Sequence, residues 1–445
     1  MPSPKEILLI NPWIYDFTAY DFWAKPLGLL HVAALLKGNT SFRMSFIDCL
    51  DWDHPKLPKT FLRKPDGRGP YPKEEVPKPA VLREIPRKYS RYGIPIQLFV
   101  DELKRIPPPD IVMITCTMTY WYPGVQTVID LIRKRFGKVP VILGGVYASL
   151  MPDHAQRESG ADYVCAGRAE ENLHPLLKEV LGGDAFPWEL NLDLPLWPDY
   201  SLLRDRANLP VVTSRGCPCA CSFCVTPLLF PQFQQYSPSS VINLIEYLAR
   251  SYGTRNIAFY DDALLLNKKN HIIPILEGLL RQHLSLSFHT PNGLHVKEID
   301  IELATLLKRA DFASLFLSQE SFDKNFLAES CPKVEGSDLE TALSHLETAG
   351  YSRSAINVYL IVGLPDQDIT GVREAILRVK KLGARPRLAY YSPVPNTSDW
   401  RKAVDRGYLK DSDDPLLHNK LTFPYLWGNV SPEDFRSFNI LLNTE

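Results

Sequence analysis

The sequence predicts an α/β protein: a doubly wound, Rossmann-like parallel sheet, then a partial (βα)6 TIM-like barrel and a small C-terminal extension. Three observations carry this expectation. Residues 5–180 alternate short apolar runs with stretches of helical spacing, as a sheet with helices on both faces requires. Residues 181–209 break that pattern with Pro, Trp and Asp and read as a linker. Residues 210–395 alternate again through six strand signals, and 396–445 remain as the extension. A chain of 445 residues exceeds one ordinary core, so two domains with a smaller third piece agree with its length.

In the first domain EILLIN (6–11) is an apolar run of the kind buried on both faces. PLGLLHVAALLK (26–37) has helical spacing after a Pro start, and RMSFIDCL (43–50) gives a second strand. Residues 52–97, dense in proline and charge, predict an extended excursion over the surface, placed to cover a ligand. DIVMITCT (110–117), VPVILGG (139–145) and ADYVCAG (161–167) resume the strands, and VQTVIDLIRKRFG (125–137) is a helix stopped by glycine. The second domain takes its strands from PVVTSRG, NIAFYDD, LSFHTPNG, ASLFLSQES, AINVYLIVGLP and RLAYYSPVP. Function is expected at their carboxyl ends.

Composition narrows the function classes. Apolar residues make up 45% and charged residues 23%, which is ordinary for a globular protein. A net charge of -1 gives no electrostatic case for nucleic acid or an anionic membrane as partner. No apolar run has the length of a membrane helix, and the N-terminus enters a strand without a signal-peptide pattern. Cys49, Cys116, Cys165 and Cys331 are scattered and read as buried thiols, so the reducing cytoplasm is the expected compartment.

The other four of the eight cysteines lie in GCPCACSFC, residues 216–224. Cys217, Cys221 and Cys224 form a C-x3-C-x2-C triplet with Phe223 before the last. Three thiolates on one loop can hold three irons of a 4Fe-4S cluster and leave the fourth open for a substrate. Zinc is the competing reading, but zinc sites pair two knuckles, or a knuckle with histidines, and no His lies within ten residues of the triplet.

With Arg215 before it and a barrel strand behind it, this loop resembles the cluster loop of radical S-adenosylmethionine (SAM) enzymes. The resemblance implies that the three cysteines hold the 4Fe-4S cluster. It also implies that the amine and carboxylate of SAM chelate the open iron and that Phe223 lies near the adenine. Cys219 departs from the pattern; alternation along the loop is expected to turn its thiol away. Later segments extend the resemblance. Asp261 and Asp262 follow the second barrel strand and read either as partners of the SAM ammonium or a backbone amide, or as a helix N-cap pair. Asn292, with Gly293, resembles a third-strand motif lining the cavity. Glu320 resembles the strand-four residue on the SAM ribose. Gly363 resembles the fifth-strand residue against adenine, with a tight turn as the plainer reading.

The first domain resembles the cobalamin-binding domain of one large radical SAM subfamily, and together the two resemblances reach to about residue 400. They imply a cobalamin site at Asn11, Pro12, Thr115, Thr117, Gly144 and Gly145, with the segment 25–28 alongside. Trp121 and Tyr122 read either as aromatics packed on cobalamin or as interface packing. The first strand–helix connection, NPWIYDFTAYDFWAKP, lacks D-x-H-x-x-G, so the lower face of cobalt is not expected to carry that histidine. The implied activity is a cobalamin-dependent methyltransferase. It acts on an unactivated carbon through a 5′-deoxyadenosyl radical and methylcobalamin, and draws on a low-potential donor such as a flavodoxin or ferredoxin. A non-methylating rearrangement or cyclisation, and a non-catalytic iron–sulfur or cobalamin sensor, are the alternatives. The substrate stays open between a peptide or protein and a small molecule.

Overall fold

The computed structural model describes residues 4–38, 41–58, 63–182, 197–331, 333–335, 337–427 and 430–444. The expected linker therefore lies partly outside the described residues, at 183–196. The chain forms two compact units: residues 1–206 with 414–417, and residues 207–413 with 418–445.

The first unit is built on five parallel strands: Lys5–Asn11, Phe42–Asp48, Ile111–Thr115, Val141–Gly144 and Tyr163–Val164. Their spatial order is second, first, third, fourth, fifth. That order puts a topological switch between the first and third strands, where a crevice opens at their carboxyl ends. Ile7, Leu8, Leu9 and Ile10 are each at most 1% exposed, which is why the first strand reads as an unbroken apolar run. One face packs on Leu29, Ala33 and Leu36 of the helix Leu27–Lys37 and on Leu173 and Leu177 of the helix Ala169–Leu181.

Residues 52–97 are not a bare excursion. Lys73–Glu75 and Ser90–Tyr92 pair antiparallel with each other, and Ser90–Tyr92 pairs with Ile14–Asp16 from the first strand–helix connection. Gly69–Pro70 pairs with Tyr20–Asp21. The aromatics of that connection need a cover, and this segment supplies it. The Trp13 indole donates to Ile94 O at 2.6 Å, the Trp23 indole to Asp66 O at 2.6 Å, and the Phe17 and Tyr89 rings meet edge-on at 5.3 Å.

The second unit is an open parallel array. Asn208–Val211 and Asn256–Phe259 come first, and Asn357–Val362 and Arg385–Tyr390 come last. The third position is divided into Ser287–His289 and Leu294–His295, the fourth into Phe312–Ser314 and Phe316–Glu320. These breaks split the array into two four-stranded sheets that together hold the six expected strand positions. Phe259, Phe288 and Phe312 pack ring to ring on adjacent strands, 5.3–5.8 Å apart. The helix Pro238–Tyr252 shows how local sequence sets the boundaries. Ser237 caps it through Ser240 N, Pro238 occupies the first turn, and Gly253 closes it at φ 67°. The extension carries the helices Ser398–Asp405, Phe423–Leu426 and Pro432–Asn443. Among the described residues no helix is long and apolar enough to cross a membrane.

Candidate active site

The cysteine loop follows directly on the first strand of the second unit. Ser214–Arg215 pairs antiparallel with Gln234–Gln235 and closes the loop at its base. Gly216 turns the chain at φ 80°, where a side chain would press on Gln232 O. Asp261 fixes the approach to the loop from beneath. Its carboxylate accepts Thr213 N at 2.9 Å, Thr213 Oγ1 at 2.8 Å and Ser214 Oγ at 2.6 Å. Burial pushes its pKa up to about 6 against the pull of these donors. Asp261 thus spends its lone pairs inside the protein, and of the readings the sequence offered it takes the backbone amide, that of Thr213. Asp262 keeps exposed surface and bonds to Thr226; its charge adds to the upward push on Cys217, which comes first from Cys219, and on Cys224, which comes first from burial. Of the two, it is the carboxylate on the cysteine side.

The loop itself is clamped by groups that are not cysteines. Ser222 Oγ donates to Asp399 Oδ2 at 2.7 Å and Asp399 N donates to Ser222 O at 3.1 Å, so the extension holds the loop's midpoint. Ser222 N donates to Ser330 O at 3.0 Å, and Phe223 stacks on Phe326 at 6.5 Å with the planes 7° apart. Cys224 N bonds to Cys221 O at 3.0 Å, folding the last two thiols into one turn.

The thiols form two pairs. Cys217 donates to Cys219, which pushes Cys217 up and brings Cys219 down to about 7. The Cys331 thiol holds Cys221 below the ordinary thiol range, with the Lys333 charge acting the same way against burial. Two expectations are corrected here. Cys219 does not point away, because residues 216–225 turn and bend and strand alternation does not govern them. Cys331 is buried, as expected, but beside the loop. No sequence signal within the loop reports a partner more than a hundred positions away. Among the described residues no three His, Cys, Asp or Glu side chains yet converge as a metal cage. The donor chemistry nonetheless fits an iron–sulfur cluster: the three thiols lie on one clamped loop, and their contacts with neighbouring thiols and with Thr226 N are weak ones that Fe–S bonds can replace.

Around the loop, Glu320 ends its strand at φ 64°, a left-handed conformation a glutamate seldom adopts, and pairs with Lys333 Nζ at 3.1 Å. Both side chains are nearly buried. Asn292 donates to Tyr260 O at 2.8 Å, tying the third strand end to the second. Gly363 sits at φ 98°, and a Cβ there would collide with the Phe423 ring. The Cβ side of Gly363 is thus taken by the extension, and a glycine is needed for that close approach. His289 is satisfied by Ser314 Oγ at 2.7 Å and Asn256 Oδ1 at 3.0 Å. His295 is 5% exposed; burial, then the Lys333 charge, lowers it from 6.5 to about 4. Folding therefore prefers its neutral form, and stability falls as pH drops through 6.5 toward 4, by up to about 3 kcal/mol. His295→Gln is expected to remove that share of the acid sensitivity, read by urea unfolding of the full chain at about pH 7 and about pH 4.5.

In the first unit the strand ends meet at the switch. Asn11 closes the first strand and donates to Asp48 Oδ1 at 2.7 Å, with Pro12 buried behind it. Thr115 lies beside Gly144 in register, and Thr117 is exposed just beyond. Gly145, at φ 96°, brings its backbone against Cys116 O and Thr115 Oγ1. A Cβ on Gly144 would meet nothing closer than Cys165 O at 3.8 Å, so this edge is open to a flat ligand. That open edge fits cobalamin. Trp121 and Tyr122 have partners within the unit: Trp121 donates to Asp16 Oδ2 at 2.8 Å, and Tyr122 to both oxygens of Asp414 at 3.1 Å. Cys49, Cys116 and Cys165 are buried with thiols pushed up by burial, as expected.

A sheet domain with its crevice at a switch point, joined to an open βα array with a three-cysteine loop after its first strand, defines a two-cofactor α/β enzyme class. Comparison with known proteins agrees. Residues 92–177 match the B12 binding domain model and residues 211–378 the Radical SAM superfamily model. The chain thus carries a B12-binding domain ahead of a radical SAM domain. Its cofactors are a 4Fe-4S cluster, SAM and cobalamin.

An uncharacterized methyltransferase of Pyrococcus horikoshii is 28% identical, over 68% of this chain and 71% of that one. The hopanoid C-3 methylase of Methylococcus capsulatus is 25% identical, over 78% and 73%. The structure of the radical SAM methyltransferase TsrM from Kitasatospora setae, bound to tryptophan and a SAM analogue, superposes with a TM-score of 0.65. That match covers 97% of this chain and 90% of that one at 15% identity, so it speaks to the fold.

Proposed function

We propose that this enzyme is a cobalamin-dependent radical SAM methyltransferase acting on carbon. One observation carries the reading: a clamped three-cysteine loop and an open, glycine-lined switch point occur in a single chain. The methyltransferase names of its relatives support the direction of the chemistry. When bound, the cluster supplies one-electron reduction of SAM and cobalamin supplies methyl transfer. The chain's own residues orient these groups. Cys217, Cys221 and Cys224 ligate iron, and Phe223, Asp262, Asn292 and Glu320 surround the SAM site. Asp261 and Gly363 serve that site indirectly, by fixing the loop's approach and admitting Phe423. Asn11, Pro12, Thr115, Thr117, Gly144 and Gly145 line the cobalamin edge, with Trp121 and Tyr122 shaping it from behind. The electron source is a low-potential donor of the flavodoxin or ferredoxin type. Substrates from both a small-molecule and a peptide set belong in the test.

The test is turnover of the anaerobically reconstituted full chain with methyl-deuterated SAM, followed by mass spectrometry. A product carrying the deuterated methyl, with S-adenosylhomocysteine and 5′-deoxyadenosine, is expected. Methionine and 5′-deoxyadenosine with a modified but unmethylated product would establish a rearrangement or cyclisation instead. Cluster and SAM binding without any SAM cleavage under dithionite would point to a sensor.

A further inference from the structure

Beside its open strand ends the first unit holds a cavity of about 340 Å³. Among its walls are Lys25, Asp48, Asp51 and His54, Glu102 of the helix Ile96–Arg105, and residues 201–206. Asp48 ends the second strand in register with Asn11, whose amide donates to its Oδ1 at 2.7 Å. Leu50 N donates to the same oxygen at 2.9 Å, and among the described residues Oδ2 receives no donor. Lys25 stands just ahead of the helix Leu27–Lys37, with a side chain only 9% exposed. Among the described residues its ammonium donates no hydrogen bond: Asp21 and Asp205 come no closer than 4.0 and 3.9 Å.

A buried ammonium without an acceptor and a carboxylate oxygen without a donor are each costly. Both face one cavity, so a single group that accepts from Lys25 and donates to Asp48 satisfies the two together. Their charges cancel, which favours a neutral group over an ion. The other charged walls lean acidic, with Asp51, Glu102 and Asp205 against Arg204 and Arg206, and disfavour an anion. A primary carboxamide carries the required acceptor and donor on one plane. Cobalamin bears such carboxamides on short arms around its ring, and the cavity has room for one arm with water beside it. Asn11 joins the cobalamin edge to Asp48 through its hydrogen bond. We propose that Lys25 and Asp48 receive one carboxamide arm of cobalamin, the amide oxygen on the Lys25 ammonium and the amide nitrogen on Asp48 Oδ2. This rests on the cobalamin site proposed above.

The experiment titrates the full chain with cobalamin and with its monocarboxylic acids, in each of which one arm carboxamide is replaced by a carboxylate. Binding is followed by absorbance in wild type, Lys25→Met and Asp48→Asn, and circular dichroism checks each fold. Cobalamin is expected to bind Lys25→Met roughly tenfold to a hundredfold more weakly than wild type, the scale of a hydrogen bond to a charged group. One monocarboxylic acid, and not the others, is expected to bind wild type weakly and to recover on Asp48→Asn, where the repelling carboxylate is gone. Asp48→Asn keeps the side-chain shape and carries the test should Lys25→Met fail to fold. Unchanged cobalamin affinity in a folded Lys25→Met chain would overturn the proposal. So would monocarboxylic acids that are all weakened alike, with no recovery on Asp48→Asn. A wild-type chain that binds no cobalamin would sink the cofactor site itself, and this arm receptor with it.

Discussion

Replacing Cys217, Cys221 and Cys224 together by alanine is expected to yield a folded chain that binds no iron and cleaves no SAM. Iron should fall from roughly four atoms per chain to none, because a 4Fe-4S cluster on this loop has no other set of three thiolates. The fold should survive, since the loop is held by groups outside the triplet. Ser222 is clamped to Asp399, Ser222 N bonds to Ser330 O, and Asp261 anchors Thr213 and Ser214. Iron analysis after anaerobic reconstitution and circular dichroism on the same sample make the check. Retained iron with retained SAM cleavage would refute the assignment of these ligands. Cys219→Ala serves as the matched control, and its iron content is expected to stay at the wild-type level.

The second large effect separates two neighbouring glycines. Gly144→Val is expected to abolish cobalamin retention while shifting stability by no more than about 1 kcal/mol. The strand end above Gly144 is open, its nearest would-be neighbour being Cys165 O at 3.8 Å, and a β-branched residue suits that backbone. Gly145→Val should instead weaken the fold. Its φ of 96° strains any side chain, and the new Cβ would lie 2.7 Å from Cys116 O. The combined cost is about 2–5 kcal/mol. Thermal unfolding and cobalamin absorbance after desalting distinguish the two. A Gly144→Val chain that keeps its cobalamin would move the site away from the switch point.

Legibility in the sequence followed the range of the interactions. EILLIN was readable as a strand because a parallel strand covered on both faces must be apolar throughout, and Ile7 to Ile10 are. The cysteine triplet was readable because cluster ligands on one short loop need no distant partner. Asp261 and Asp262 look alike in the sequence, yet one is consumed beneath the loop and the other keeps exposed surface on the cysteine side. Gly363 looks like a residue beside a ligand, and a ring from sixty positions later occupies its face. The proline-rich segment 52–97 looked like an excursion because its strands are only two or three residues long, below what periodicity can register.

The two α/β units, the order of their strands along the chain and the thiols available to iron are all written in the residues themselves. All of these follow from apolar period, turn residues and ligand chemistry, which are local properties. That the second strand lies outside the first, and that Asp399 and Phe423 of the extension press on the loop and on Gly363, emerges only when the chain is folded. Those are long-range choices, made by which faces must be buried together, and no local pattern encodes a contact whose partner folds in from a hundred residues away.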